Sequence, residues 1–159
     1  MLTTFSPYER YTAPQKQFRA RSEEEVLESI RLTGQRYGDQ IRRVFLADGD
    51  ALVLPTRRLL SILEAIRIHM PAVRRISSYC LPRNLRKKSQ ADIDELAAAG
   101  LTMAYVGAES GDDAVLAAVS KGETFDTTCE ALDKLGTAGI TRSVMILNGL
   151  GGKALSAQH

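Results

Sequence analysis

The chain has 159 residues, the size of one ordinary domain, so a single hydrophobic core without a second folding unit is expected. Apolar residues make up 44% and charged residues 25%, and no apolar run is long enough to cross a bilayer, which excludes a disordered tail and leaves no membrane partner to expect. Lys plus Arg at 21 against Asp plus Glu at 19 gives a net charge of +2, too balanced to mark nucleic acid as a partner.

Residues 1–21 read as a leader. Arg10, Lys16, Arg19 and Arg21 stand there against one acid, Glu9, with Tyr8, Tyr11 and Phe18 between them and no apolar stretch of the kind a secretory signal carries. Ser22 and Glu25 then form the pattern of a capping box, and Val26, Leu27 and Ile30 share one face, which predicts a helix to about Tyr37. Gly38-Asp39 breaks it. Arg43 to Ala47 is a short apolar strand that meets the turn signal Asp48-Gly49-Asp50. Pro55 suits a first helical turn, and Leu59, Leu60, Ile62, Leu63 and Ile66 form an apolar stripe to about His69. Val73 to Tyr79 reads as the second strand and Ser89 to Ala99 as a helix stopped by Gly100, followed directly by a third strand, Met103 to Gly107. Helical spacing returns from Ala114 to Val119, pauses at Lys121-Gly122 and resumes through Cys129, Leu132 and Leu135, before a fourth strand from Ser143 to Leu147.

Strands recurring about every thirty residues with a helix between each pair are the pattern of parallel βαβ units, so the fold class is α/β. An open doubly wound sheet and part of a (β/α) barrel both bury their strands on two faces, and periodicity does not choose between them. About four βα units supply about half of an eight-unit barrel, which takes roughly 200 residues or more.

In both architectures ligands meet the sheet at the carboxyl ends of its strands. Those ends are polar here: Asp48-Gly49-Asp50, Ser77-Ser78-Tyr79-Cys80, Glu109-Ser110-Gly111 and Asn148-Gly149-Leu150-Gly151-Gly152. Asp48 and Asp50 either accept hydrogen bonds from a cationic or hydroxyl-bearing ligand or build a plain turn. Glu109, two residues past a buried strand, is costly unless paired, exposed or used, and Ser110 or Asp112 stands where a cap of the next helix belongs. The glycines at 149, 151 and 152 leave backbone amides open to a flat or anionic ligand, or make a flexible turn. Cys80, near Arg83, is either activated or a buried structural thiol. The two cysteines, Cys80 and Cys129, lie far apart without a CxxC or His pair, which fits a reduced, cytoplasmic interior and indicates neither disulfide nor zinc site. His69 and His159 show no catalytic partner.

Arg43-Val-Phe-Leu-Ala-Asp-Gly-Asp-Ala-Leu52, Ser77-Ser-Tyr79, Tyr105-Val-Gly-Ala-Glu-Ser-Gly111 with Val115-Leu116 and Lys121-Gly122, and then Ile146 to Gly152, together resemble a radical S-adenosylmethionine (radical SAM) protein. The resemblance runs from about Phe18 to Gly152. It implies a partial, TIM-like (β/α) barrel with parallel strands. In that family a [4Fe-4S] cluster binds S-adenosylmethionine and cleaves it reductively to start radical chemistry. Asp48, Gly49 and Asp50 would match the loop that holds the methionine amino group. Glu109, Ser77 and Ser78 would match positions near the ribose and methionine, and Ile146, Leu147, Gly149 and Leu150 the segment passing the adenine. The family's CxxxCxxC loop has no counterpart: Thr3 and Ser6 stand where its second and third cysteines would be, and a neutral hydroxyl does not replace a thiolate toward iron.

The expectation is therefore a truncated radical SAM core over 22–152, a leader remnant of the cluster loop over 1–21 and a tail over 153–159. No metal ligand or catalytic residue is assigned. A small molecule is the expected partner, with self-association through an exposed sheet edge. Two alternatives are a catalytically silent module binding a nucleoside or S-adenosylmethionine, and a small doubly wound protein binding a phosphate compound at Gly149–Gly152.

Overall fold

The structure, a computed structural model, describes residues 21–47 and 49–157. Residues 1–20, which hold all of the leader but Arg21, together with Asp48, Gln158 and His159, lie outside the described residues. Helix α1, Glu23–Tyr37, starts at the expected capping box: the Ser22 hydroxyl accepts from the Glu25 amide at 3.1 Å, and the Ser22 amide donates back to the Glu25 carboxylate at 2.8 Å. Strand β1, Arg43–Leu46, leads into a single 3₁₀ turn, Ala51–Val53, and helix α2, Thr56–His69. Pro55 sits at the cap of α2 rather than inside its first turn, where its missing amide costs nothing.

Strand β2, Arg75–Cys80, is followed by a short helix α3, Pro82–Leu85, that periodicity did not reveal, because one turn is too brief to show a repeat. Helix α4, Gln90–Ala98, has a second capping box, Ser89 with Asp92. Strand β3, Leu101–Glu109, is longer than its apolar centre suggests, since Glu109 still pairs with the next strand. Helices α5, Asp113–Ala118, and α6, Phe125–Thr137, are capped by Asp112 and Thr124, and strand β4, Thr141–Ile146, closes the sheet.

The strands are all parallel and lie in the order β1-β2-β3-β4. A doubly wound sheet needs a reversal of strand order, and this sheet has none, so the order is that of a barrel segment. Alternation along each strand separates two faces. Val44, Ile76, Cys80, Ala104 and Val106 point to the helices and join Leu59, Leu63, Ile66, Ile93, Leu96 and Leu135 in one core. Burying each large aliphatic side chain contributes about 1.5–3 kcal/mol. Helix α6 covers β4 only at its start, where the Arg142 guanidinium donates to the Leu132 carbonyl at 3.0 Å; further along the same face Val144 is 45% exposed.

Helix α1 reaches this core through a close approach to α2. A Cβ on Gly34 would lie 2.6 Å from the Cβ of His69, and one on Gly38 would lie 2.6 Å from the Gly34 carbonyl oxygen, so neither position has room for a side chain. The glycine at 34 is a packing residue, whereas the sequence marked only the helix stop at Gly38.

Candidate site at the carboxyl ends of the strands

The second face of the sheet carries Phe45, Ser77, Tyr79, Met103, Tyr105, Gly107 and Met145 in register. Phe45 and Tyr79 meet edge to face at 4.9 Å between ring centroids, and Tyr105 lies 5.8 Å from Phe45 and 6.2 Å from Tyr79. Tyr79 remains 47% exposed, so the three rings form an accessible apolar platform next to the strand ends. The odd-numbered spacing of these rings was present in the sequence, but only the register brings three strands' rings into one group.

Glu109 stands at the end of β3 in the left-handed region, φ 67°, at the point where the β3–β4 register shifts. A non-glycine residue held there costs on the order of 1–3 kcal/mol, so the surroundings must over-determine it. Two bonds do so. The Leu147 amide donates to the Glu109 carbonyl at 3.0 Å, and the Lys121 ammonium donates to its carboxylate at 2.9 Å. The carboxylate folds back over Gly107, where a Cβ would come within 2.9 Å of it and 3.3 Å of the Lys121 nitrogen. Glu109 and Lys121 are 24% and 17% exposed, a paired but water-accessible couple at the mouth of the sheet. Of the two cap candidates for α5, Asp112 performs the task, accepting from the Val115 amide at 2.9 Å, while the Ser110 hydroxyl accepts from the Asp112 amide at 3.1 Å.

Asp50 has a different setting. One carboxylate oxygen accepts from the Leu52 amide at 2.8 Å, and the other from the Leu81 amide at 2.6 Å and the Asn84 side-chain amide at 2.8 Å. It ties the loop after β1 to the start of α3. Gly49 is exposed with φ 101° and has open space where a side chain would be. A further buried acid, Glu123, receives the Arg83 amide at 3.1 Å and fastens α3 to the segment before α6, a link the sequence gave no sign of.

Ser77 and Ser78 are both buried but face opposite sides of β2, Ser78 toward the helices. The Ser77 hydroxyl donates to the Val44 carbonyl at 3.4 Å, and the Ser78 hydroxyl to the Tyr79 carbonyl at 2.9 Å. Ile146 and Leu147 are each 53% exposed, and the chain beyond them curls into turns in which Leu150 and Gly152 donate their amides to Leu147 and Gly149. Two of the amides expected to be open at this loop are thus used within it.

Cys80 is a buried structural thiol rather than an activated one. It is 1% exposed on the helix-facing side of β2, and burial, then the nearby Asp50 and Glu123 carboxylates, push its pKa far above the ordinary value. Such a thiol stays protonated, and iron takes thiolate. Cys129, partly buried on α6, is the other cysteine. Among the described residues no group of three or more His, Cys, Asp or Glu side chains converges on a metal position. The two cysteines of this chain therefore do not fit the three-thiolate requirement of a [4Fe-4S] cluster.

A parallel sheet in sequential order, helix-covered on one face and polar at its strand ends, defines a protein built on part of a (β/α) barrel. The profile of the radical SAM superfamily matches residues 6–155, and the chain belongs to that superfamily. No curated protein sequence matches it. Among solved structures it is similar to the cobalamin-dependent S-adenosylmethionine radical enzyme OxsB with aqua-cobalamin bound, with a TM-score of 0.64 and 19% identity over 79% of this chain and 19% of that one. It is also similar to HydG, a maturase of the [FeFe]-hydrogenase, with a TM-score of 0.62 and 17% identity over 86% of this chain and 30% of that one. A third is HemN, the coproporphyrinogen III oxidase of Escherichia coli, described as a radical SAM enzyme, with a TM-score of 0.59 and 14% identity over 84% of this chain and 33% of that one. The chain spans between a fifth and a third of the length of these proteins, and at such identities the likeness is one of fold.

Proposed function

We propose that residues 22–152 are a radical SAM core that binds S-adenosylmethionine, or a nucleoside like it, at the carboxyl ends of its strands, and that this chain does not cleave it reductively by itself. The observation that carries the reading is Glu109: a carboxylate held in a strained conformation by Lys121 and Leu147, at the mouth of a barrel segment of this superfamily. A carboxylate so placed accepts from ribose hydroxyls or an ammonium group, and Lys121 beside it supplies a donor for a carboxylate. In this reading Asp48, Gly49 and Asp50 serve the methionine amino group, with Asp50 acting chiefly through the loop it fastens. Ser77 stands on the ligand side of β2, Ser78, turned toward the helices, contributes only through the packing of that strand, and Ile146, Leu147, Gly149 and Leu150 flank the base. No helix among the described residues is long and apolar enough to cross a membrane, and the unpaired cysteines favour a reducing, cytoplasmic setting.

Calorimetry tests the binding. Heat on titrating S-adenosylmethionine into the full chain, weakened about tenfold by Glu109→Gln, is the expected result, since losing a charged acceptor costs about 1.5 kcal/mol or more. No heat at millimolar ligand, or an unchanged affinity in the variant, overturns it. Anaerobic reconstitution with iron and sulfide tests the second half: a stable [4Fe-4S] absorption band from this chain alone refutes the argument from its thiols.

A further inference from the structure

At the opposite end of the sheet, four arginines border one open depression of the surface: Arg42, Arg43, Arg74 and Arg75. Arg43 opens β1 and Arg75 opens β2, and the two are direct cross-strand partners in the register. The Arg74 amide donates to the Arg42 carbonyl at 2.9 Å, which holds the preceding pair side by side as well. All four are exposed. Arg42 donates to the Asp39 backbone carbonyl at 2.7 Å, and none of the four has a carboxylate partner among the described residues.

Like charges placed directly opposite on neighbouring strands repel. In a chain whose net charge is only +2, such a concentration is local and uncompensated. Guanidinium is a planar fork of donors that stays charged at every physiological pH and matches phosphate oxygens in pairs. One phosphate occupies about two such forks, so two arginine pairs side by side suit linked phosphates better than a single one.

We propose that this arginine cluster at the amino ends of β1 and β2 binds a small molecule carrying two or more linked phosphates, distinct from the strand-end site and independent of the reading given for it. The site lies a full strand length from Glu109, so occupation of one does not require the other.

The test uses the full chain and inorganic anions without divalent metal. Calorimetry with sodium tripolyphosphate, pyrophosphate and phosphate is expected to give affinities falling in that order, and to weaken steeply as salt rises from about 50 to 200 mM. In the double variant Arg43→Gln/Arg75→Gln, tripolyphosphate binding should fall at least tenfold. Arg43→Glu provides the check on folding. It turns a repulsive cross-strand pair into an attractive one, so it should melt no lower than the parent while losing tripolyphosphate binding. Three results overturn the proposal: no heat with tripolyphosphate at millimolar concentration, equal binding by the double variant, or tighter binding of a short single-stranded oligonucleotide than of tripolyphosphate at the same salt. The last would make the patch a nucleic-acid surface.

Discussion

Replacing Asp50 by alanine separates a structural carboxylate from a ligand-holding one. The substitution removes the acceptor for the Leu52 amide at 2.8 Å, the Leu81 amide at 2.6 Å and the Asn84 side chain at 2.8 Å. Hydrogen bonds to a charged group contribute about 1.5–3 kcal/mol each, but three sharing one carboxylate do not add in full. Leu52 is 1% exposed, so water does not readily take over its amide, and a stranded buried donor costs about 1–3 kcal/mol. Leu81 and Asn84 are half-buried and recover part of their loss from solvent. The expected destabilisation is about 4 kcal/mol, a large share of the 5–15 kcal/mol typical of a domain. At roughly 2–4 °C per kcal/mol for a chain of this size, the melting temperature falls by about 8–16 °C. Asp50→Asn keeps one acceptor and should lose about half as much, because its NH2 group then faces a donor. Urea denaturation of the three proteins at neutral pH measures the difference. If Asp50→Ala unfolds within 1 kcal/mol of the parent, by the roughly 0.5–1.5 kcal/mol scale of ordinary hydrogen bonds, the three contacts are not what holds these loops together, and the ligand role regains the residue.

Three further outcomes follow from the same reasoning. Gly34→Ala forces a methyl against the Cβ of His69 and its backbone, which cannot swing aside, so it should cost about 2–3 kcal/mol, whereas an alanine in an open helix position would gain about 1 kcal/mol; a neutral or stabilising result in thermal melts would show that α1 is not seated on α2 as described. Because the Cys80 thiol is pushed up in pKa by burial and two carboxylates, it stays protonated through neutral and mildly alkaline pH and becomes reactive on unfolding. Alkylation of the native chain at pH 8, followed by peptide mass analysis, should therefore leave Cys80 unmodified, and its rapid labelling would contradict the packing of β2. Among the described residues the outer edges of β1 and β4 have no strand partner, and Val144, Ile146 and Leu147 are about half exposed, so sedimentation velocity should show reversible association as concentration rises; a clean monomer at high concentration would count against edge pairing.

Much of this protein is written in short-range patterns. The capping boxes at Ser22 and Ser89, the apolar runs of the strands and the glycine stops are read within a few residues of one another, because helix caps and periodicity are local physics. The βα repeat and the motifs around Asp48, Glu109 and Ile146 led by the same route to an α/β chain of the radical SAM superfamily. What each residue does there depended on neighbours far along the chain. Asp50 and Leu81 are 31 residues apart, and only the folded loops make one the acceptor of the other. Ser77 and Ser78 look equivalent in sequence but are divided by the pleat, and Lys121 reaches Glu109 because a bulge and a left-handed residue turn the carboxylate back over Gly107. The choice between a barrel segment and a doubly wound sheet rested on strand order, which no local pattern encodes. The arginine cluster is the same lesson in charge: Arg42-Arg43 and Arg74-Arg75 are two unremarked pairs until parallel registry sets them side by side.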